Sequence, residues 1–132
     1  MTSYKNNCGM TLIEVIIVVA ILGILSSITV SSYSQYVLKQ RRVDAHHLLH
    51  ANAQRLQRCL TLIGAYDGGC ALQNTSSEGH YTLNANLTAQ TWQITAVPAA
   101  GSPQLNDGDC ISFTMRHTGH KTASGSAPDH CW

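Results

Sequence analysis

The chain has 132 residues, enough for one small domain. Its formal net charge is +1 and only 11% of its residues are charged, which argues against a protein held to its partner by neutralising phosphates. Hydrophobic residues make up 44% of the chain and are unevenly spread. From Met10 to Val30 there is one ionisable side chain, Glu14, whereas the remainder is rich in Ser, Thr, Asn and Gln. The composition describes an apolar rod joined to a polar head.

Residues Val15 to Leu25 read VIIVVAILGIL, without a polar side chain. Extended from Met10 to Val30, the run makes about 21 residues, or roughly 30 Å of helix, the thickness of a bilayer core. A removable signal peptide has a shorter apolar core, of about 7–15 residues, with a small-residue cleavage site behind it. Here the run is longer, and it continues into Tyr33, Tyr36, Val37 and Leu38. A membrane-spanning helix fits better. Glu14 is the anomaly, because a carboxylate in an apolar span costs about 2.5–3.5 kcal/mol and seeks a partner. A helix-end glutamate that snorkels to the headgroups is the plainer reading. No basic residue lies within one helical turn, so an in-chain ion pair is not expected.

The stretch Cys8-Gly9-Met10-Thr11-Leu12-Ile13-Glu14-Val15, followed by the apolar run, resembles the processing motif of the type IV pilin family. The resemblance implies cleavage by a prepilin peptidase between Gly9 and Met10 and N-methylation of Met10. The leader, residues 1–9, would take Lys5 and Cys8 with it, leaving a formal charge of about zero at neutral pH. It also gives Glu14 a partner, the α-amino group of Met10 on a neighbouring subunit, whose reference pKa is about 8. Such a pair would set axial register during assembly. Two positions depart from the family: Met10 stands where Phe is usual, and Ser31 where related helices often carry Pro.

After Ser34 the apolar residues thin into a stripe. Ala45, Leu49, Ala53, Leu56, Leu60 and Ile63 recur at intervals of three or four, and Leu48 widens the face. Lys39, Arg41, Arg42, Asp44, Arg55 and Arg58 fall on the opposite, solvated side. The pattern predicts one helix from about Met10 to Ile63, ~80 Å long, stopped by Gly64. Gly64 to Glu78 reads as a loop. Strands are expected at His80–Asn84, at Thr91–Val97 and at Cys110–Met115, the last with Ile111, Phe113 and Met115 on one face. Pro98–Gly108 is a connecting loop, and a last short strand falls at Lys121–Ala123 after a turn at residues 117–120. The expected fold is α+β, a long N-terminal helix packed on a small antiparallel sheet of three to four strands.

Five cysteines leave one unexplained in an exported domain. If Cys8 is removed with the leader, or stays in the cytosol, four remain and allow three pairings. Spacing favours Cys59–Cys70 and Cys110–Cys131, each closing a modest loop and stabilising by roughly 2–4 kcal/mol. A zinc site fits less well, since close C-x-x-C pairs are missing.

The head is similar to PilE-type minor pilins in Ala53-Gln54-Arg55-Leu56-Gln57-Arg58, Gly79-His80-Tyr81-Thr82-Leu83, Trp92-Gln93-Ile94-Thr95-Ala96-Val97-Pro98, Thr118-Gly119-His120-Lys121 and Cys131-Trp132. That resemblance implies a division into residues 1–9 (leader), 10–34 (transmembrane and filament-core half of the helix) and 35–132 (head with the amphipathic half). It implies a structural subunit that enters a type IV pilus and initiates or promotes its assembly. Its partners would be major and minor pilins, the prepilin peptidase and the inner-membrane assembly machinery. It would sit in the inner membrane before assembly, head in the periplasm, and in the extracellular fibre afterwards. A type II secretion pseudopilin shares the leader and helix, but such proteins more often rely on calcium than on a four-cysteine head. A fibre-displayed adhesin or DNA-uptake subunit is the third reading.

No enzymatic constellation is expected. The serines lack a nucleophile elbow, and there is no Gly-rich phosphate loop. Of the seven histidines, His46 and His50 share a helical face, but no third ligand is spaced as in H-E-x-x-H. They read as solvated helix surface, as do His117 and His120 around a turn, and no metal or cofactor is expected. Lys39, Arg41, Arg42, Arg55 and Arg58 lie on the helix, and the head adds only Arg116 and Lys121. This reads as ordinary surface charge and argues against nucleic acid as a partner.

Overall fold

The computed structural model describes residues 10–132, with the side chains of residues 28–32 outside the described residues. The expectations that rest on Lys5, Cys8 and Gly9, and on the Ser31 side chain, fall outside them. One helix, α1 (Leu12–Ile63), precedes four strands: β1 (Tyr81–Leu87), β2 (Trp92–Pro98), β3 (Ser112–Arg116) and β4 (Lys121–Ser124). Two 3-10 turns, Pro103–Asn106 and Pro128–His130, complete the chain. The boundary between two compact units falls between Tyr36 and Val37.

In the first unit, α1 starts at Leu12 because Thr11 and Glu14 form a reciprocal cap. Thr11 Oγ1 accepts the Glu14 N–H at 3.4 Å, and the Glu14 carboxylate accepts the Thr11 N–H at 3.4 Å. The large apolar side chains from Leu12 to Leu25 are exposed all round the helix. Ser26 donates to the Leu22 carbonyl at 2.6 Å and Ser27 to the Ile24 carbonyl at 2.7 Å, so both hydroxyls are satisfied within the helix. Among the described residues no helix is long and apolar enough to cross a membrane. The span expected over 10–34 runs through residues 28–32, and residues 12–27 alone fall short of the ~20 a bilayer needs.

In the second unit, the stripe on α1 supplies Ala45, Leu48, Leu49 and Leu56 to a core completed by Tyr81, Trp92, Ile94, Ala96, Phe113 and Met115. Ile63 departs from the expected stripe and is exposed. Gly64 turns the chain there at φ +85°, donating its N–H to the Leu60 carbonyl at 2.9 Å, and Tyr66 beyond the turn fills the core instead. Asn52 is fully buried within this face. Its amide group bonds both the Gln73 N–H (2.8 Å) and the Gln73 carbonyl (3.0 Å), tying the 64–80 loop to the helix.

Two residues expected on the solvated side are buried. Arg42 forms a two-pronged pair with Asp107, Nε to Oδ2 at 2.7 Å and a terminal nitrogen to Oδ1 at 2.8 Å. Asp44 accepts the Glu78 N–H at 3.3 Å. Both face loops that fold back over the helix. The expected Pro98–Gly108 loop carries the first 3-10 turn, capped by Ser102, and the buried Gln104 bonds Tyr81 Oη (2.7 Å) and the Leu38 carbonyl (3.2 Å).

The four strands form an antiparallel meander in the order β1-β2-β3-β4. Ile94 faces Met115 and Ala96 faces Phe113 across β2 and β3 on the core side, while Thr95 and Thr114 bond each other at 3.0 Å on the other side. Ile111 does not join the inward row expected with Phe113 and Met115. Cys110 takes the inward place just before it, so the alternation breaks and Ile111 is exposed. Cys59 is bonded to Cys70 and Cys110 to Cys131, with Cα separations of 5.8 and 5.7 Å. The first bond ties the end of α1 to the loop after it, and the second ties the start of β3 to the segment after β4. Gly125 lies so close to the Asp109 carbonyl that a Cβ would collide with it.

Candidate functional site

The residues singled out near the N-terminus do not form a pocket. Gly9 lies outside the described residues. Met10 is exposed, and Glu14 sits in the first turn of α1 as one half of the cap with Thr11. The sequence signal for that cap was present as Thr11-x-x-Glu14, a polar residue followed three places on by glutamate. What surrounds Glu14 is apolar surface: Leu12, Ile13, Ile16, Ile17, Val19 and Ile24 are each more than half exposed. A helix apolar on every side is stable only when something apolar covers it.

A second cluster brings together residues sequence reasoning left apart. The His46 ring stacks on Trp132 at 4.7 Å and meets the edge of Phe113 at 5.1 Å. Its Nε2 donates to the Cys131 carbonyl at 3.0 Å. His46 is therefore packed under the segment after β4 and is not the solvated residue expected. Burial pushes its pKa below the usual 6.5, against the opposing pull of the Cys131 carbonyl. Lys121 lies over the Trp132 ring at 4.9 Å and reaches His50 Nε2 at 3.5 Å. The pKa of His50 is also lowered, first by partial burial and then by Lys121 and His47.

Beside this cluster, α1 and the β3–β4 turn enclose a groove of about 420 Å³. His50, Gln54, Gln57 and Arg58 line it from α1, and Arg116 and His117 from the turn. Trp92 closes it, and the buried Trp92 Nε1–H has no hydrogen-bond partner among the described residues. A smaller depression of about 300 Å³, lined by Asn86, Thr88, Thr91 and Gln93, shares Trp92, Arg116 and His117 with it. No described residue lining either is acidic. The arrangement offers donors and cations, which suits an anion. Among the described residues no group of three or more His, Cys, Asp or Glu side chains could hold a metal ion.

The long capped helix, the meander of four strands and the two cysteine bonds define the class, a type IV pilin. A model of the prokaryotic N-terminal methylation motif matches residues 4–30. The fold is similar to that of a type IV pilin from Shewanella oneidensis, with 24% identity and a TM-score of 0.51 over 72% of this chain and 97% of that one. The chain belongs to the family described as type IV minor pilin ComP, DNA uptake sequence receptor, whose model matches residues 31–114. Family and fold are those of structural proteins.

Proposed function

We propose that the chain is made with a leader, residues 1–9, and cut between Gly9 and Met10 by a prepilin peptidase. Residues 10–34 then anchor it in the inner membrane until it enters the fibre, and residues 35–132 form the displayed head. The observation that carries this reading is the apolar surface of α1 from Leu12 to Leu25, exposed on every side. Lipid covers it before assembly and the helices of other pilins cover it afterwards. The cap with Thr11 satisfies backbone groups but leaves the Glu14 charge in apolar surroundings, where a cation is needed. The methylated amine of Met10 on a neighbouring subunit supplies that cation. Glu14→Ala should leave the chain in the membrane and lower its recovery from sheared fibres. Normal recovery would contradict the role given to Glu14.

A second reading is favoured by the groove between α1 and the β3–β4 turn, together with the receptor named in the family's description. In it the fibre-displayed head binds DNA, with Arg58 and Arg116 on phosphates and Gln54 and Gln57 near base edges. This departs from the expectation that nucleic acid is not a partner. A count of basic residues misses that two arginines far apart in sequence share one groove without a carboxylate. Binding of duplex DNA by the detergent-solubilised full chain tests it. Arg58→Ala and Arg116→Ala should each weaken binding, and each should lower the slope of log affinity against log salt by about 1. Affinity unchanged in the double variant would contradict this reading.

A further inference from the structure

On the other flank of α1, a groove of about 420 Å³ opens between the helix and the turn at Ser77 and Glu78. Val37 and Val43 give it apolar walls, and Val43 is 48% exposed. Asp44 also lines it and is itself only 7% exposed. One carboxylate oxygen of Asp44 accepts the Glu78 N–H, while the other, Oδ2, is buried without a hydrogen-bond partner among the described residues. The Glu78 carboxylate stands exposed on the rim, 3.6 Å from His80 Nε2. A buried carboxylate oxygen left unpaired is costly, and a cation relieves that cost best. Lysine and arginine combine an apolar stem with a charged tip, matching valine walls with a carboxylate between them.

We propose that this groove receives a lysine or arginine side chain of an adjoining pilin subunit, whose charge pairs with Asp44 and Glu78. The inference rests on the reading of the chain as a fibre subunit, since assembly is what brings a second head against this one. The competitors within the chain are Arg41 and His47, which line the same groove, and His80, whose Nε2 lies 3.6 Å from the Glu78 carboxylate; of these Arg41 is the permanent cation, and it forms no ion pair among the described residues.

Asp44→Asn and Arg41→Gln separate an incoming cation from Arg41. Asn keeps an oxygen for the Glu78 N–H, so the head keeps that contact. In cells making the full chain, Asp44→Asn should lower the ratio of fibre-borne to membrane-borne protein by about tenfold or more. Its melting temperature in detergent should stay at the parent value, and Arg41→Gln should leave both quantities unchanged. A parent-like ratio for Asp44→Asn would overturn the inference. So would equal losses of melting temperature in the two variants, which would make Arg41 the partner of Asp44. Absence of the unaltered chain from fibres would overturn the fibre reading and this inference with it. Presence of the unaltered chain with an unaffected Asp44→Asn variant would overturn this inference alone.

Discussion

Arg42 and Asp107 stand 65 residues apart and meet with both side chains almost wholly shielded from water. Their hydrogen bonds raise the Arg42 pKa further, so the guanidinium stays charged at every accessible pH. Neither prong could be read from the sequence. A charged residue between solvated neighbours on a helix looks like surface, and its partner lay in what read as plain loop. The pair makes a sharp prediction. Asp107→Ala leaves the buried guanidinium with only the half-exposed Asp109 carboxylate at 3.8 Å and should cost about 3 kcal/mol in denaturant unfolding, whereas Arg42→Met with Asp107→Leu should recover most of that loss, short of the acceptor that Asp107 gives the Cys110 N–H. His46 looks like helix surface in the sequence for the same reason, since Phe113 and Trp132 cover it from distant positions. With the pKa values of His46 and His50 both held below 6.5, the unfolded chain takes up protons that the folded head refuses. Stability is fully present above that pH and is lost as the pH falls below it. Thermal melts should drop between about pH 7.5 and pH 5, and His46→Phe should flatten the drop. An equal drop in that variant would remove His46 from the account.

At the scale of elements the sequence was more legible, because periodicity reports local structure directly. The stripe from Ala45 to Leu56 and the alternation of Trp92, Ile94 and Ala96 both face the core. Patterns failed where a covalent or conformational constraint overrides alternation. Cys110 takes the inward place that Ile111 was expected to share, and Gly64 turns the chain directly after Ile63, the last residue of α1, which stays exposed. The cysteine bonds do separate work on the sheet and helix. Cys110–Cys131 holds the segment that covers His46, so Cys110→Ser with Cys131→Ser should cost about 3 kcal/mol and expose the Trp132 ring. Tryptophan fluorescence that remains parent-like in the folded double variant would show that the ring contacts alone hold the segment. Gly125→Ala should disturb the same region from the other side, because its Cβ would strike the Asp109 carbonyl.

For the whole molecule, the division of labour follows composition. The head satisfies its own core, with two cysteine bonds supporting a small hydrophobic cluster. The N-terminal part of α1 satisfies its backbone but not its surface, and that surface makes sense only beside lipid or other helices. The N-terminal methylation motif and the helix were readable because each is contiguous. The two grooves were not, because each brings α1 together with segments far from it in sequence, Ser77 and Glu78 in one and Trp92, Arg116 and His117 in the other. The central claim is that the chain is a processed subunit of a fibre. Its most direct test is the mass and N-terminal sequence of the chain recovered from sheared fibres. A processed subunit begins at N-methylated Met10 and lacks residues 1–9. A chain that keeps those residues, begins elsewhere, or never leaves the cell body would contradict it.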